Sequence, residues 1–402
     1  MKRIYADNSA STMVSPRALA AMLPFFSDHY ANPSAIHECG GQAKKALELA
    51  RRQVAASLGA MPSEIFFTSG GTESNNWAIF SAAESGSVRG RHIVSAAAEH
   101  KAILKPLERL SERGFEITLL TPDRFGRVTP ESLKKAVRDD TILVTMMTAN
   151  NVVGSFSDVQ EYCQIVHAKK ALFHTDAVQA TGHLPLNVRR LGIDLMSLSA
   201  HKFHGPKGVG ALFVKIPKLP FPLIDGGGQE RGARSGTENV PGVVGLAEAL
   251  TEAVEDLKKN RLFLTGLRDR LIQLVLAVPT AELTGDPANR LPGHASFVFA
   301  GLGHGANLVN CLNDEGISVS SGAACSAASK EGSHVLEAMN LNPDLASNAL
   351  RISLSRYNTM EEVEYIAEKI GFWVPKLQAE NSRRENPRFF SRQNVSSAPS
   401  EP

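Results

Sequence analysis

Cysteine is scarce in this chain and poorly placed for structural work. The four residues, Cys39, Cys163, Cys311 and Cys325, stand far apart, and no C-x-x-C pair occurs. That spacing excludes a disulfide scaffold and a zinc ribbon. An excess of charge of either sign is also missing. Lys and Arg number 43 against 41 Asp and Glu, a net charge of +2. Such balance gives no reason to expect a membrane surface or a direct nucleic-acid partner. Long apolar runs are absent as well: Leu271–Val278 is interrupted by Gln273 and falls short of the roughly 20 residues that span a bilayer. The opening Met1-Lys2-Arg3-Ile4-Tyr5-Ala6-Asp7 has no apolar stretch behind its basic pair, so no secretory signal is expected. The composition that remains, 43% hydrophobic and 21% charged, is that of a globular protein. The expectation is a cytoplasmic metabolic enzyme with no resident metal.

Strand-like and helical runs alternate through the first half. Ser15-Pro16 opens a helix, with Ser as cap and Pro in the first turn, where a missing N–H is harmless. Apolar residues at helical spacing run from Ile36 to Leu58, closed by Gly59. Short strands are expected at Ile65–Thr68, Ile93–Ser95, Ile117–Leu120, Ile142–Met147, Ala171–Thr175, Leu195–Ser199 and Gly210–Val214, with helices between several of them. This alternation implies an α/β fold with a mostly parallel sheet covered on both faces. After Lys215–Gly228, rich in Pro and Gly, helices mix with short strands in an α+β pattern. The expected division is an N-terminal segment, 1–14, packing with the smaller domain; a large domain, 15–255; a small C-terminal domain, 256–374; and a disordered polar tail, 375–402.

Chemistry-bearing residues gather where strands end. Lys202, in Ser199-Ala200-His201-Lys202-Phe203-His204-Gly205-Pro206, follows a strand carboxyl end, where open α/β sheets place ligands. Partial burial there makes a lysine nucleophilic toward aldehydes, although a surface Lys in a turn fits the isolated segment equally well. Asp176 ends another strand; on its own it reads more readily as a helix cap than as the partner of a buried cation. Ser69-Gly70-Gly71-Thr72-Glu73-Ser74 joins a strand to a helix with small residues suited to a phosphate, yet it matches neither dinucleotide nor P-loop patterns. His100 follows a further strand. Cys325 sits in Ser320-Ser321-Gly322-Ala323-Ala324-Cys325-Ser326-Ala327-Ala328-Ser329, where small neighbours give no apolar packing and favour an accessible, reactive thiol over a buried inert one.

Together these segments resemble the pyridoxal-phosphate-dependent cysteine desulfurases of the class V aminotransferase family, nitrogen-fixation and cluster-assembly type. The resemblance runs from Tyr5-Ala6-Asp7-Asn8-Ser9-Ala10, through Ala31-Asn32-Pro33-Ser34, Thr68–Ser74, Glu99-His100-Lys101, Asp176-Ala177-Val178-Gln179, His201-Lys202 and Arg234-Ser235-Gly236-Thr237-Glu238-Asn239, to Arg351-Ile352-Ser353-Leu354-Ser355-Arg356 and Tyr357-Asn358-Thr359. It implies fold type I, with a seven-stranded, mostly parallel sheet and a smaller α+β domain carrying a catalytic Cys loop. It also implies that L-cysteine is converted to L-alanine and that its sulfur leaves as a persulfide on Cys325. Lys202 then holds pyridoxal 5'-phosphate covalently and moves protons, Asp176 pairs with the ring nitrogen, and His100 stacks on the ring and serves in acid–base steps. Gln179 bonds the ring hydroxyl, and Asn151 lies near ring and substrate. Gly71, Thr72, Ser199 and His201 hold the phosphate, with Thr237 reaching in from the second subunit of a homodimer. Arg351 takes the substrate carboxylate through its planar fork. A sulfur-acceptor protein, such as an iron–sulfur cluster scaffold, is the implied partner.

Three positions depart from that pattern: Val152 stands where an acid is usual, Ala323 where Ser is common, and Met13 where Pro is usual. A selenocysteine lyase or another class V lyase or aminotransferase is the alternative on the same fold. Neither requires a thiol in a loop, so Cys325→Ser separates the readings. A cofactor-free scaffold is disfavoured by retention of Lys202, Asp176 and His100.

Overall fold

The computed structural model describes residues 3–215, 221–321 and 333–385. Seven strands form the main sheet, in the order Ile65–Thr68, Gly210–Val214, Leu195–Ser199, Leu172–Asp176, Thr141–Thr145, His92–Ala96, Glu116–Leu120. Gly210–Val214 runs antiparallel to both of its neighbours, and every other pairing outside those two is parallel. A parallel sheet must bury both faces, and its strands show it: four of the central ones are buried at every residue.

Alternation along the strands assigns each side chain to a face. Phe66, Ile93, Leu143, Leu195 and Leu212 pack beneath helices Gly71–Gly86 and Lys101–Ser111, together with Trp77, Ile79 and Leu107. Their sequence neighbours Phe67, Val94, Val144, Met196 and Phe213 face the opposite way, against Leu47 and Val54 of helix Glu38–Leu58 and Leu246 and Leu250 of helix Val240–Glu255. The helix ends follow the sequence signals. Ser15 accepts a hydrogen bond from the Ala18 amide with Pro16 in the first turn, and Gly59 closes its helix at φ +68.

A second core forms around a three-stranded antiparallel sheet, with His294–Phe299 between Ala349–Ser353 and Ala281–Leu283. Helices Leu257–Val275 and Met360–Glu385 cover it through Leu264, Leu267, Leu271, Val363, Ile366 and Ile370. Ile4 and Ala6 join this core, because Ile4–Tyr5 pairs in parallel with Ile317–Ser318.

One expectation needs correction. The final helix does not stop where the sequence reading begins a disordered tail; it runs through Pro375 to Glu385. Proline removes one helical N–H, but tertiary contacts on both sides of it hold the helix. The Trp373 indole donates to Glu315 at 3.1 Å, Leu377 packs on the second core, and the Gln378 amide donates to the Ala300 carbonyl at 2.6 Å. Residues 386–402 lie outside the described residues, as does Cys325.

Candidate active site

Parallel strands point their carboxyl ends to one edge of the sheet, and at that edge a cavity of about 380 Å³ opens. Of the residues singled out from the sequence, Gly71, Thr72, His100, Asn151, Asp176, Gln179, Ser199, His201, Lys202 and Arg351 all line it. Two do not. Thr237 is exposed and is not part of the lining, and Cys325 falls outside the described residues.

Lys202 closes the short turn Ala200–Lys202 that follows strand Leu195–Ser199. Its ammonium donates to the carbonyls of Ser9 and Ala10, the latter at 2.8 Å. Asp176 ends the neighbouring strand, 7% exposed, and accepts from the Asn75 amide at 2.7 Å and from the Val178 backbone N–H at 3.0 Å. The Asn75 Oδ1 atom is buried without a hydrogen-bond partner. Gln179 donates to the Ser9 carbonyl at 2.9 Å.

His100 caps helix Lys101–Ser111, its Nδ1 accepting from the Ala102 amide at 3.1 Å. Burial lowers its pKa below the ordinary histidine value; the Asp176 charge opposes that shift, and Lys202 adds to it. The ring is therefore a neutral base near pH 7. Adjacent Glu99 is 1% exposed, with the Met147 amide donating to Oε1 at 2.6 Å and Oε2 unpartnered. Burial raises this carboxyl well above the usual range, and the Asp176 charge adds to the effect. His201 is pushed down to about 4 by burial and by Lys202 and Lys207.

A pyridoxal phosphate fits this donor set. Helix Gly71–Gly86 begins at Gly70, which has no side chain to bond the first N–H groups, so the helix start is open to an anion. A Cβ on Gly71 would meet Val178 at 2.7 Å, so the small residue keeps the cradle open. Thr72, Ser199 and His201 line the same cavity, and buried Asp176 supplies the acid that a ring nitrogen needs.

Arg351, 2% exposed, also lines the cavity. Its Nη2 donates to Asp7 at 2.7 Å and its Nη1 to the Asn151 carbonyl at 2.9 Å, while Nε has no partner. Val152, where an acid was expected, packs away from the cavity with Ala98, Val153, Val298 and Leu336. Sequence reading assigned no role to Asp7, Ser9, Ala10, Asn75 or Glu99. Tyr5–Ala10 stood out only as part of the resemblance, because nothing local joins it to residues 344 or 345 positions later.

A strand-edge lysine, a paired acid and an open helix start define a pyridoxal-phosphate enzyme of the α/β class. The model of the aminotransferase class-V family matches residues 4–366, and the chain belongs to that family. Within it, the chain is 44% identical over 377 residues to "Cysteine desulfurase IscS" of Methanosarcina thermophila, covering 94% of this chain and 93% of that protein. A solved "NIFS-LIKE PROTEIN" superposes with a TM-score of 0.87 at 41% identity, covering 93% of this chain and all of that one. Another solved structure, SspA in complex with cysteine, gives a TM-score of 0.77 at 34% identity and covers 89% of this chain and 100% of that one.

Proposed function

We propose that this chain is a cysteine desulfurase that converts L-cysteine to L-alanine and passes the sulfur to Cys325 as a persulfide. The observation that carries the reading is one cavity lined by Lys202, Asp176 and a buried Arg351. Such a cavity takes a ligand bearing both an amine and a carboxylate. The cysteine-bound neighbour and the named desulfurases supply the substrate class.

Bound pyridoxal phosphate supplies the electron sink that makes the substrate Cα–H and Cβ–S bonds labile. Arg351 anchors the carboxylate, Lys202 moves a proton to and from Cα, and His100, neutral near pH 7, accepts and returns protons beside the ring. Asp176, held by Asn75 and Val178, would pair with the ring nitrogen and keep the ring an electron sink. The transfer balances without an added oxidant: the Cβ–S bond breaks, an S–S bond forms to Cys325, and the Cβ carbon takes up a proton to become the methyl of alanine. Cys325 is the thiol for this step because Cys163 is buried with its pKa pushed up to about 12, and Cys311 is raised by burial. Cys39 is exposed but sits in helix Glu38–Leu58 and does not line the cavity.

The enzyme acts as a homodimer in the cytoplasm and delivers sulfur to an acceptor protein for iron–sulfur clusters or another sulfur-containing product. Supporting the dimer, Thr237 is exposed outside its own cavity, and Leu19, Leu23, Phe26, Tyr30 and Ile36 expose apolar surface along one stretch. Among the described residues no helix is long and apolar enough to cross a membrane.

The test is a pulse of L-cysteine followed by mass spectrometry. The wild type gains one sulfur on the peptide bearing Cys325 and releases alanine. Cys325→Ala binds the cofactor but forms almost no alanine. Alanine release at the wild-type rate in that variant sinks the assignment.

A further inference from the structure

We propose that Asp7 is a positioning residue for recognition of the substrate carboxylate, acting through Arg351. The inference rests on the desulfurase reading and names a part of the site that the reading leaves unexplained.

A buried guanidinium needs a counter-charge, and the carboxylate in contact with Arg351 is Asp7, 2.7 Å from Nη2. At the other end of the fork, Nη1 reaches the Asn151 carbonyl at 2.9 Å. The two restraints come from different parts of the chain, the N-terminal segment and the turn after strand Thr141–Thr145. A planar group gripped at both ends of its fork cannot swing. Donors nevertheless remain. Each terminal nitrogen keeps a second hydrogen, and buried Nε has no partner. The guanidinium is thus fixed but not saturated, which is what a second carboxylate arriving in the cavity requires.

Asp7 is itself anchored. Ser353 donates its amide to the Ala6 carbonyl at 2.8 Å, the Asn8 amide donates to Ser353 at 3.1 Å, and the Tyr5 hydroxyl donates to the Asp7 carbonyl at 3.1 Å. Two residues further on, Ser9 accepts from Lys202 and Gln179. One short segment therefore ties the carboxylate anchor to the cofactor lysine and sets the spacing between them. The opposite view treats Asp7 as a placeholder that occupies Arg351 until substrate displaces it. On that view, its removal tightens binding; on ours, removal weakens it.

The experiment uses holoenzyme and follows cofactor absorbance during titration with L-alanine, or with ethylamine, which is alanine without the carboxylate. In Asp7→Ala the alanine Kd rises about tenfold while the ethylamine Kd stays at its wild-type value, and the KM for cysteine rises more than kcat falls. Asp7→Asn, which keeps an acceptor for Nη2, restores alanine binding to within about threefold. In an Arg351→Ala background, which removes the charge that Asp7 neutralises, adding Asp7→Ala weakens alanine no further. An unchanged or lower alanine Kd in Asp7→Ala overturns the proposal. So does equal weakening of ethylamine, or a further loss in the double variant. Cysteine turnover by the wild type tests the desulfurase reading, and the alanine-to-ethylamine ratio tests Asp7, so either can fail alone.

Discussion

The two walls of the cavity are built by different means. The wall holding Lys202, Asp176, His100 and Ser199 belongs to one sheet, and each residue lies within a few positions of a strand's carboxyl end. The parallel arrangement delivers all four to one edge with no special contact required. The wall holding Ser9, Ala10 and Arg351 is assembled by long-range contacts: the N-terminal segment pairs with Ile317–Ser318 and Ser353, and Arg351 reaches it through Asp7. The first wall is positioned by topology and the second by a few hydrogen bonds and one ion pair between Asp7 and buried Arg351. On the roles proposed above, the difference separates cofactor chemistry from substrate anchoring, and substitutions should separate them too.

The largest effect is expected at the sheet wall. On the proposed assignment Lys202→Ala removes the amine that attaches the cofactor and moves protons, so turnover falls by about a thousandfold or more. After borohydride reduction of the wild type, peptide mapping finds the adduct on Lys202; an adduct on Lys207 breaks the assignment. The wall assembled by long-range contacts gives a different signature. Arg351→Lys keeps the charge but loses the planar fork, so the KM for cysteine rises about tenfold to a hundredfold while cofactor content stays at the wild-type level. Cofactor loss in that variant would mean that the walls are not separable.

The same contrast governs what the sequence made legible. Strand, turn and helix signals around Lys202, Asp176 and Gly71 are local, and a continuous apolar run such as Ile65-Phe66-Phe67 already marks a strand buried on both faces. Arg351 was found only through resemblance, and Asp7 was missed, because its ion pair spans 344 positions. Glu99 escaped notice for another reason: its character comes from complete burial beside Asp176, which no neighbouring residue announces. Pro375 misled because a proline in a helical pattern reads as a stop, while the contacts of Trp373 and Gln378 lie in the tertiary structure.

The smallest predicted effect should be the same for both walls. Each sheet buries a neutral histidine. His174, in strand Leu172–Asp176, bonds the hydroxyls of Thr145 and Ser197, and burial pushes it down to about 3. His294, in strand His294–Phe299, is driven well below its ordinary value by burial and by nearby Arg351 and Arg290. The unfolded chain titrates these rings near 6.5, so above that pH both states are neutral and the full stability is present. Below it the unfolded chain takes up protons that the native state refuses, and stability falls as pH drops toward the folded values. His201 and His204, both pushed to about 4, act in the same direction. Glu99, raised by burial, acts oppositely, but it is one group against several. Between pH 7.5 and 5.5 the melting temperature should therefore drop by a few degrees. His174→Gln and His294→Gln should each remove up to one proton from the uptake on unfolding. A melting temperature that stays flat or rises as pH falls across that range would sink this reading.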